Sequence, residues 1–318
     1  MSGGGDSLAL MHLLADWAKA EKRAAPVVLI VDHGLRKGSA ADAKKTARWA
    51  RDAGLAAHVL SWKGKKPTGD IEAAAREARY RLMGAWCRAH RLNFLYVAHT
   101  REDQAETFLL RLARGSGLDG LSAMRALAPW PLPGFETLQL VRPLLDVSRA
   151  ALRGLLKARG QDWLDDPMNG DPRFARVRIR AAAPVLAELG LTPEKLTAAA
   201  AHLARARAAL EDETGAWLRT SCRIAGAKTF LDGTALAKVP EEIGLRALAK
   251  VLGQVSGQTY RPRFESLSRL FGAVKTGLKA GCTLQGCRIA PASRREAVFG
   301  PGTLTILREP PRRVRTAD

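Results

Sequence analysis

The stretch PVVLIVDHG, residues 26–34, limits the fold more than any other. An unbroken aliphatic run needs cover on both faces, and one of strand length that stops at Asp-His-Gly reads as a buried strand. Helical and strand patterns alternate around it. LALMHLLADWAKA precedes it, with Leu10, Leu13, Leu14 and Trp17 on one helical face. ADAKKTARWARDAG follows as a helix closed by Gly54, then the strand AAHVLSW, a basic loop KGKKPTGD, a long helix over about residues 71–90, and the strand NFLYVAHT. Buried strands alternating with helices predict an α/β fold, a Rossmann-like parallel sheet with helices on both faces. Such sheets bind ligands at the carboxyl ends of their strands. SGGGDS, VDHGLR and AHTREDQAET all fall at such ends.

Beyond a proline-rich stretch (LAPWPLPGFETLQLVRPLLDV), SRAALRGLLKARG returns to helix, and WLDDPMNGDPRFARVRIR is turn-rich and then basic. From about residue 183 helix dominates, including one long helix with Thr192 as N-cap and Pro193 at its first position. Three regions are expected: a catalytic domain over 1–185, a helical region over 186–275, and a small strand-and-turn segment over 276–318. The formal charge of +20, from 51 Lys and Arg against 31 Asp and Glu, favours a nucleic-acid partner. Cys87, Cys222, Cys282 and Cys287 form no C-x-x-C pair, so a zinc ribbon is not offered and the cysteines read as reduced and structural. No apolar run approaches the roughly 20 residues that cross a bilayer. A soluble, cytoplasmic protein is expected.

Gly3, Gly4 and Gly5 let consecutive N–H groups form an anion nest at a helix N-terminus, with Ser2 and Ser7 as added donors. Asp6 carries the wrong charge for a phosphate cradle unless a metal bridges it. Asp32 and His33 lie at a strand end where Gly34 turns the chain. In AHTREDQAET, Asp103 and Glu106 lie one turn apart on one face, with His99 at the helix mouth. That trio suits magnesium, an ammonium group, or both; a capping box, Thr100-x-x-Asp103, accounts for Asp103 alone. Arg114 and Ser116 sit by a second Gly/Ser turn, and Arg176, Arg178 and Arg180 read as RNA backbone contacts.

SGGGDS resembles the SGGxDS signature of the PP-loop ATP pyrophosphatases. Together with VDHGLR, AHTREDQAETFLLRLARGSGLDGLSAM, the Arg-Pro-Leu-Leu of 142–145 and WLDDPMNGDPRFARVRIR, it makes residues 2–180 resemble the bacterial tRNA(Ile)-lysidine synthases. The resemblance implies ATP-dependent joining of free L-lysine to C2 of the wobble cytidine in a CAU-anticodon isoleucine tRNA, through an adenylated base. It implies ATP binding by Ser2, Gly3, Gly4, Gly5, Asp6, Ser7, Asp32, His33, Arg114 and Ser116. Asp6, His99, Asp103 and Glu106 are then catalytic, Mg²⁺ is held by Asp6 and Asp103, and Arg176, Arg178 and Arg180 face the tRNA. A homodimer is compatible with it, and a membrane is not called for.

The sequence departs from the family at Glu102, where an aspartate is usual, and at Val177, where an asparagine is common. The family also carries a short apolar strand ahead of the glycine loop, so a start upstream of Met1 is expected. The alternatives are a PP-loop tRNA thiolation enzyme, which generally needs cysteines that residues 1–185 lack apart from Cys87, an amide-forming synthetase, and an RNA-binding relative without catalysis.

Overall fold

The computed structural model describes residues 1–64, 66, 69–165, 173–258 and 260–309. The basic loop of 63–70, the turn of 166–172 and the end of the tail lie partly outside them. The chain divides into two compact units, Met1–Ala204 and Arg205–Asp318. The first contains α1 (Gly5–Ala20), β1 (Val28–Asp32), α2 (Ser39–Asp52), β2 (Ala57–Ser61), α3 (Ile71–Ala89), β3 (Phe94–Tyr96), α4 (Arg101–Leu112), α5 (Leu118–Leu121), β4 (Leu127–Pro129), β5 (Gln139–Val141), α6 (Arg149–Ala158) and α7 (Ala175–Glu188). Helix α8 (Pro193–Ser221) runs from the first unit into the second, and the Thr192 hydroxyl accepts from Lys195 N at 3.4 Å at its start.

β1 and β2 pair in parallel, as do β3 and β5, while β4 is an antiparallel edge on β5. Among the described residues no strand joins the β1–β2 pair to the β3–β5–β4 set. Alternation along β1 sorts its side chains between two cores. Val28 and Ile30 face Leu8 and Met11 of α1, Ala43 and Ala47 of α2, and Leu152 and Leu156 of α6. Leu29 faces Tyr80, Met83 and Cys87 of α3, with Val97 and Leu140. Helices therefore cover both faces, as the aliphatic run requires. Of the expected stripe on α1, Leu10 is buried and Leu13 and Leu14 pack against the core, whereas Trp17 is 51% exposed. Leu8, Ala9, Met11 and Ala18 are buried as well, so the covered side of the helix is wider than the stripe and leaves Trp17 outside it.

The second unit is a five-stranded antiparallel sheet in the order β6–β7–β10–β9–β8, from Cys222–Ala225, Lys228–Asp232, Thr303–Arg308, Cys287–Pro291 and Cys282–Leu284. The short α9 (Gly233–Leu236), α10 (Glu241–Ser256) and α11 (Phe264–Lys275) complete it. Leu248 and Leu252 of α10, Leu267 and Phe271 of α11, and Leu231, Ile289 and Ile306 of the strands share one core. Packing thus draws the division elsewhere than composition does. The hairpin β6–β7, turned at Gly226 with φ 59°, interrupts the helical region expected over 186–275, and its strands join those of the tail in a single sheet. Leu196, Ala200 and Leu203 pack instead with Ala105 and Phe108 of α4. No described helix is long and apolar enough to cross a membrane.

The glycine loop is held from two sides. Gly3 adopts φ +83°, and a Cβ there would lie 2.5 Å from the Thr46 hydroxyl and 2.7 Å from Leu164 Cδ1. Leu164 N donates to Gly3 O at 2.9 Å, which ties the segment after α6 to the loop. Gly3→Ala should therefore combine left-handed strain with overpacking and cost about 2–4 kcal/mol of unfolding free energy. Equilibrium denaturation of the variant checks this, and a loss under about 0.5 kcal/mol, the ordinary surface range, would contradict it.

Candidate active site

The glycine loop ends where α1 begins. Gly4 O accepts from Ser7 N and Leu8 N, each at 3.1 Å, and from the Ser7 hydroxyl at 2.8 Å. Ser2 and Ser7 hydroxyls lie 3.3 Å apart, and Gly4 N donates to Ser2 Oγ at 3.4 Å. The backbone N–H groups of a first helical turn have no intrahelical acceptor, so this turn is suited to an anion. The Met1 nitrogen donates to Leu29 O, which sets the loop beside β1.

Helix α4 opens with a full capping box. The Thr100 hydroxyl accepts from Asp103 N, and Asp103 Oδ2 accepts from Thr100 N at 2.8 Å. Asp103 is therefore both a cap and a site residue: Oδ2 serves the helix and Oδ1 faces outward. Oδ1 accepts from Arg149 Nη2 at 2.5 Å, and Glu106 Oε1 accepts from Arg149 Nη1 at 2.9 Å. The same guanidinium reaches Asp6 Oδ2 through Nε at 3.4 Å. Arg149 is thereby the hub that unites the first turns of α1, α4 and α6. Glu102 fixes it, because both oxygens accept from Arg149 N at 3.1 Å; here the departure from the family's aspartate has a structural use.

From the other side, Arg180 Nε and Nη2 clamp Glu106 at 2.7 and 3.1 Å. Arg176 lies 3.5 Å from Asp103 Oδ1 and donates to Thr107 Oγ1 at 3.3 Å. Residues four apart share a helix face, so Arg176 and Arg180 turn together into the carboxylates. Arg178 is left exposed and donates to Arg173 O at 2.9 Å. The basic string expected to face RNA as a unit thus splits, two of its arginines pairing with the α4 carboxylates.

Electrostatics follow from this packing. Burial raises the Asp6 pKa, with Arg149 opposing. Burial also works against ionised Asp103, but Arg149, the Thr100 N–H, His99 and Arg176 outweigh it and hold that carboxyl below its ordinary value. Arg149 is pushed the same way: burial disfavours its charge, yet Asp103 and Glu106 keep it firmly protonated. His99 is pushed down to about 4, chiefly by burial, with Asp103 opposing and Arg142, Arg79 and Arg176 adding to the depression. Arg142 Nε donates to His99 Nδ1 at 3.2 Å, which places the proton of the neutral ring on Nε2.

Several expectations change here. Arg114 and Ser116 lie beyond the far end of α4, about 16 Å along the helix from Asp103 at 1.5 Å per residue, so the structure does not bring them to the cluster. Among the described residues no three His, Cys, Asp or Glu side chains group to hold a metal ion. Arg149 lies between Asp6 and Asp103, and both Asp103 oxygens accept hydrogen bonds, whereas among the described residues Asp6 Oδ1 accepts none. Arg149 escaped the sequence reading because SRAALRG carries only a helix pattern. Arg79 escaped it likewise. It sits over the Tyr80 ring at 5.9 Å and has no carboxylate partner among the described residues, while its charge acts on both His33 and His99.

A ring held neutral in the fold but free to protonate when unfolded costs stability as pH falls. The loss should begin near the free value of 6.5 and run down to about 4. His99→Gln should flatten this limb of the stability curve, as read by urea denaturation between pH 7 and 4; an unchanged slope would contradict the assignment.

Residues 1–186 match the family model of the PP-loop domain. A tRNA(Ile)-lysidine synthase of Ruegeria pomeroyi is 40% identical over 93% of this chain and 68% of its own length. One from Methylobacterium nodulans is 39% identical over 98% and 90%. Among solved structures, the U34-tRNA thiolase NcsA of Methanococcus maripaludis with its 4Fe-4S cluster shares the fold, at a TM-score of 0.51 and 14% identity over 64% of this chain and 71% of that one. A glycine loop at a helix start, the capped carboxylate pair and this extent of identity agree, and the chain belongs to the tRNA(Ile)-lysidine synthase family of PP-loop proteins.

Proposed function

We propose that this chain adenylates the wobble cytidine of a CAU-anticodon isoleucine tRNA and then joins free L-lysine to it, forming lysidine. The observation that carries this reading is the Arg149 hub, which joins the carboxylates of α4 to Asp6 of the phosphate-binding turn. In the first step the cytosine C2 oxygen bonds to the α-phosphorus of ATP, and pyrophosphate leaves with the electrons of the broken P–O bond. The glycine-loop N–H groups, Ser2 and Ser7 hold the phosphates. Arg79, a guanidinium with no carboxylate partner among the described residues, suits the growing phosphate charge. His99 donates from Nε2 rather than accepting a proton. Magnesium enters as the counter-ion of ATP, with Asp6 the carboxylate that remains to ligate it.

In the second step the lysine ε-nitrogen bonds to C2 and AMP departs with the former C2 oxygen. Asp103 and Glu106 supply the acceptors for the amine. Asp6, Asp103 and Glu106 are already balanced by Arg149, Arg176 and Arg180, so a further positive charge gains little there. The cluster thus favours loss of the ammonium proton, which a free lysine holds to a pKa of about 10.4. Arg173 and Arg178, both exposed, lie on the side that would face the tRNA backbone. A thiolation enzyme is the weaker reading: three of the four cysteines lie beyond residue 204, and Cys87 is buried with its thiol pKa raised by that burial.

Mass spectrometry of nucleosides from isoleucine tRNA, after incubation with ATP and lysine, tests the reaction. Added lysine is expected, and added sulfur or an unchanged cytidine would overturn it. Glu106→Gln should cut lysidine formation by at least about 100-fold, the usual scale for a lost charged partner at a reaction centre, while tRNA-dependent pyrophosphate release persists. Asp6→Ala should lose pyrophosphate release itself.

A further inference from the structure

Helix α2 carries a hydroxyl that the fold leaves unused. Thr46 is fully buried, and its Oγ1 has no hydrogen-bond partner among the described residues. A threonine within a helix ordinarily returns its hydroxyl to the carbonyl one turn back. This one lies against the glycine loop instead. A Cβ on Gly3 would stand 2.5 Å from Thr46 Oγ1 and 2.7 Å from Leu164 Cδ1, so a hydroxyl and an aliphatic chain both crowd that residue.

Gly3 is itself half used. Its carbonyl accepts from Leu164 N at 2.9 Å, whereas its N–H donates to nothing among the described residues, although Gly3 is buried. A buried donor and a buried acceptor thus stand beside each other without a bond between them. Each is costly while unpaired, and keeping the two together calls for a state in which they meet. The loop's other contacts supply a route to it. Ser2 N donates to Ser7 Oγ at 3.3 Å, the two hydroxyls lie 3.3 Å apart, and Gly4 N donates to Ser2 Oγ at 3.4 Å. All are at the long end of the hydrogen-bond range, and charged phosphate oxygens are better partners for the same groups. Once Ser2 and Ser7 turn to phosphate, the Ser2–Gly3 peptide is released to rotate, and its N–H swings onto Thr46 Oγ1.

We propose that Thr46 is a positioning residue of the phosphate-binding turn, its hydroxyl accepting from the Gly3 N–H when phosphates occupy the loop. This rests on the ATP-using reading above and adds to it a residue of α2 that acts through Gly3 rather than on the substrate.

The test combines calorimetric titration of the full chain, with α,β-methylene-ATP and with inorganic tripolyphosphate, and thermal unfolding of the same chain without ligand. Thr46→Val keeps the shape and removes the acceptor. It should weaken both ligands about three- to tenfold, the scale of one neutral hydrogen bond. It should also raise the ligand-free melting temperature by about 2 °C, because an unpaired buried hydroxyl is gone. A merely structural threonine would move stability and affinity in the same direction. Thr46→Ser, which keeps the hydroxyl, should restore most of the affinity. Wild-type affinity for both ligands in Thr46→Val would overturn the role, and so would a loss of stability and affinity together. Equal weakening by Thr46→Ser and Thr46→Val would overturn it too. Failure of the wild-type chain to bind either ligand would instead sink the ATP reading, and the role of Thr46 with it.

Discussion

A single guanidinium holds the carboxylate cluster together. Arg149 touches Asp6, Asp103 and Glu106, carboxylates from two helices far apart in sequence, and its own backbone nitrogen is gripped by Glu102. Its side chain is 20% exposed, so the ion pairs act in a partly desolvated setting where removal of one member leaves charge uncompensated. Without it, Asp103 and Glu106 would repel at the mouth of α4 and Asp6 would lose its link to them. The carboxylates hold Arg149 charged, and Arg149 in turn keeps Asp103 ionised, so the group behaves as one electrostatic object.

Around that object the structure supplies rigidity from elements with no chemistry of their own. Leu164 closes on Gly3, the Thr46 side chain leaves no room for a side chain there, and Arg101 donates to Asp146 O to brace the approach to α6. Catalysis of group transfer is positioning and preorganised charge more than reactive groups. A buried neutral His99, its Nδ1 taken by Arg142, fits that pattern as a fixed donor.

Much of this was legible in the sequence. The aliphatic run of β1 demanded two covered faces, and helices cover both. The spacing of Asp103 and Glu106 put both on one face, and the capping box proved to be part of the site rather than an alternative to it. What escaped was long-range. Nothing in SRAALRG signals that Arg149 will meet residues more than 40 positions away, because exposure of a helix face is decided by packing. The Arg176, Arg178 and Arg180 string looked uniform in one dimension and divides only when wound at 3.6 residues per turn. Arg114 shows the opposite case: it is near Asp103 in sequence, yet the length of α4 separates it from the carboxylate cluster.

The cluster residues share one further property. Asp6 is in the first turn of α1, Asp103 in that of α4, Arg149 begins α6 and Arg176 opens α7. Four helices thus send a side chain from near their starts into one cluster, and a helix start carries a positive end of about half an elementary charge. That field belongs to the backbone and survives any side-chain substitution. Such a field favours an anion beside it and opposes that anion's departure. A field of this kind acts alike on a polyphosphate arriving and on one leaving, so attraction and release at such a site are two sides of one backbone arrangement.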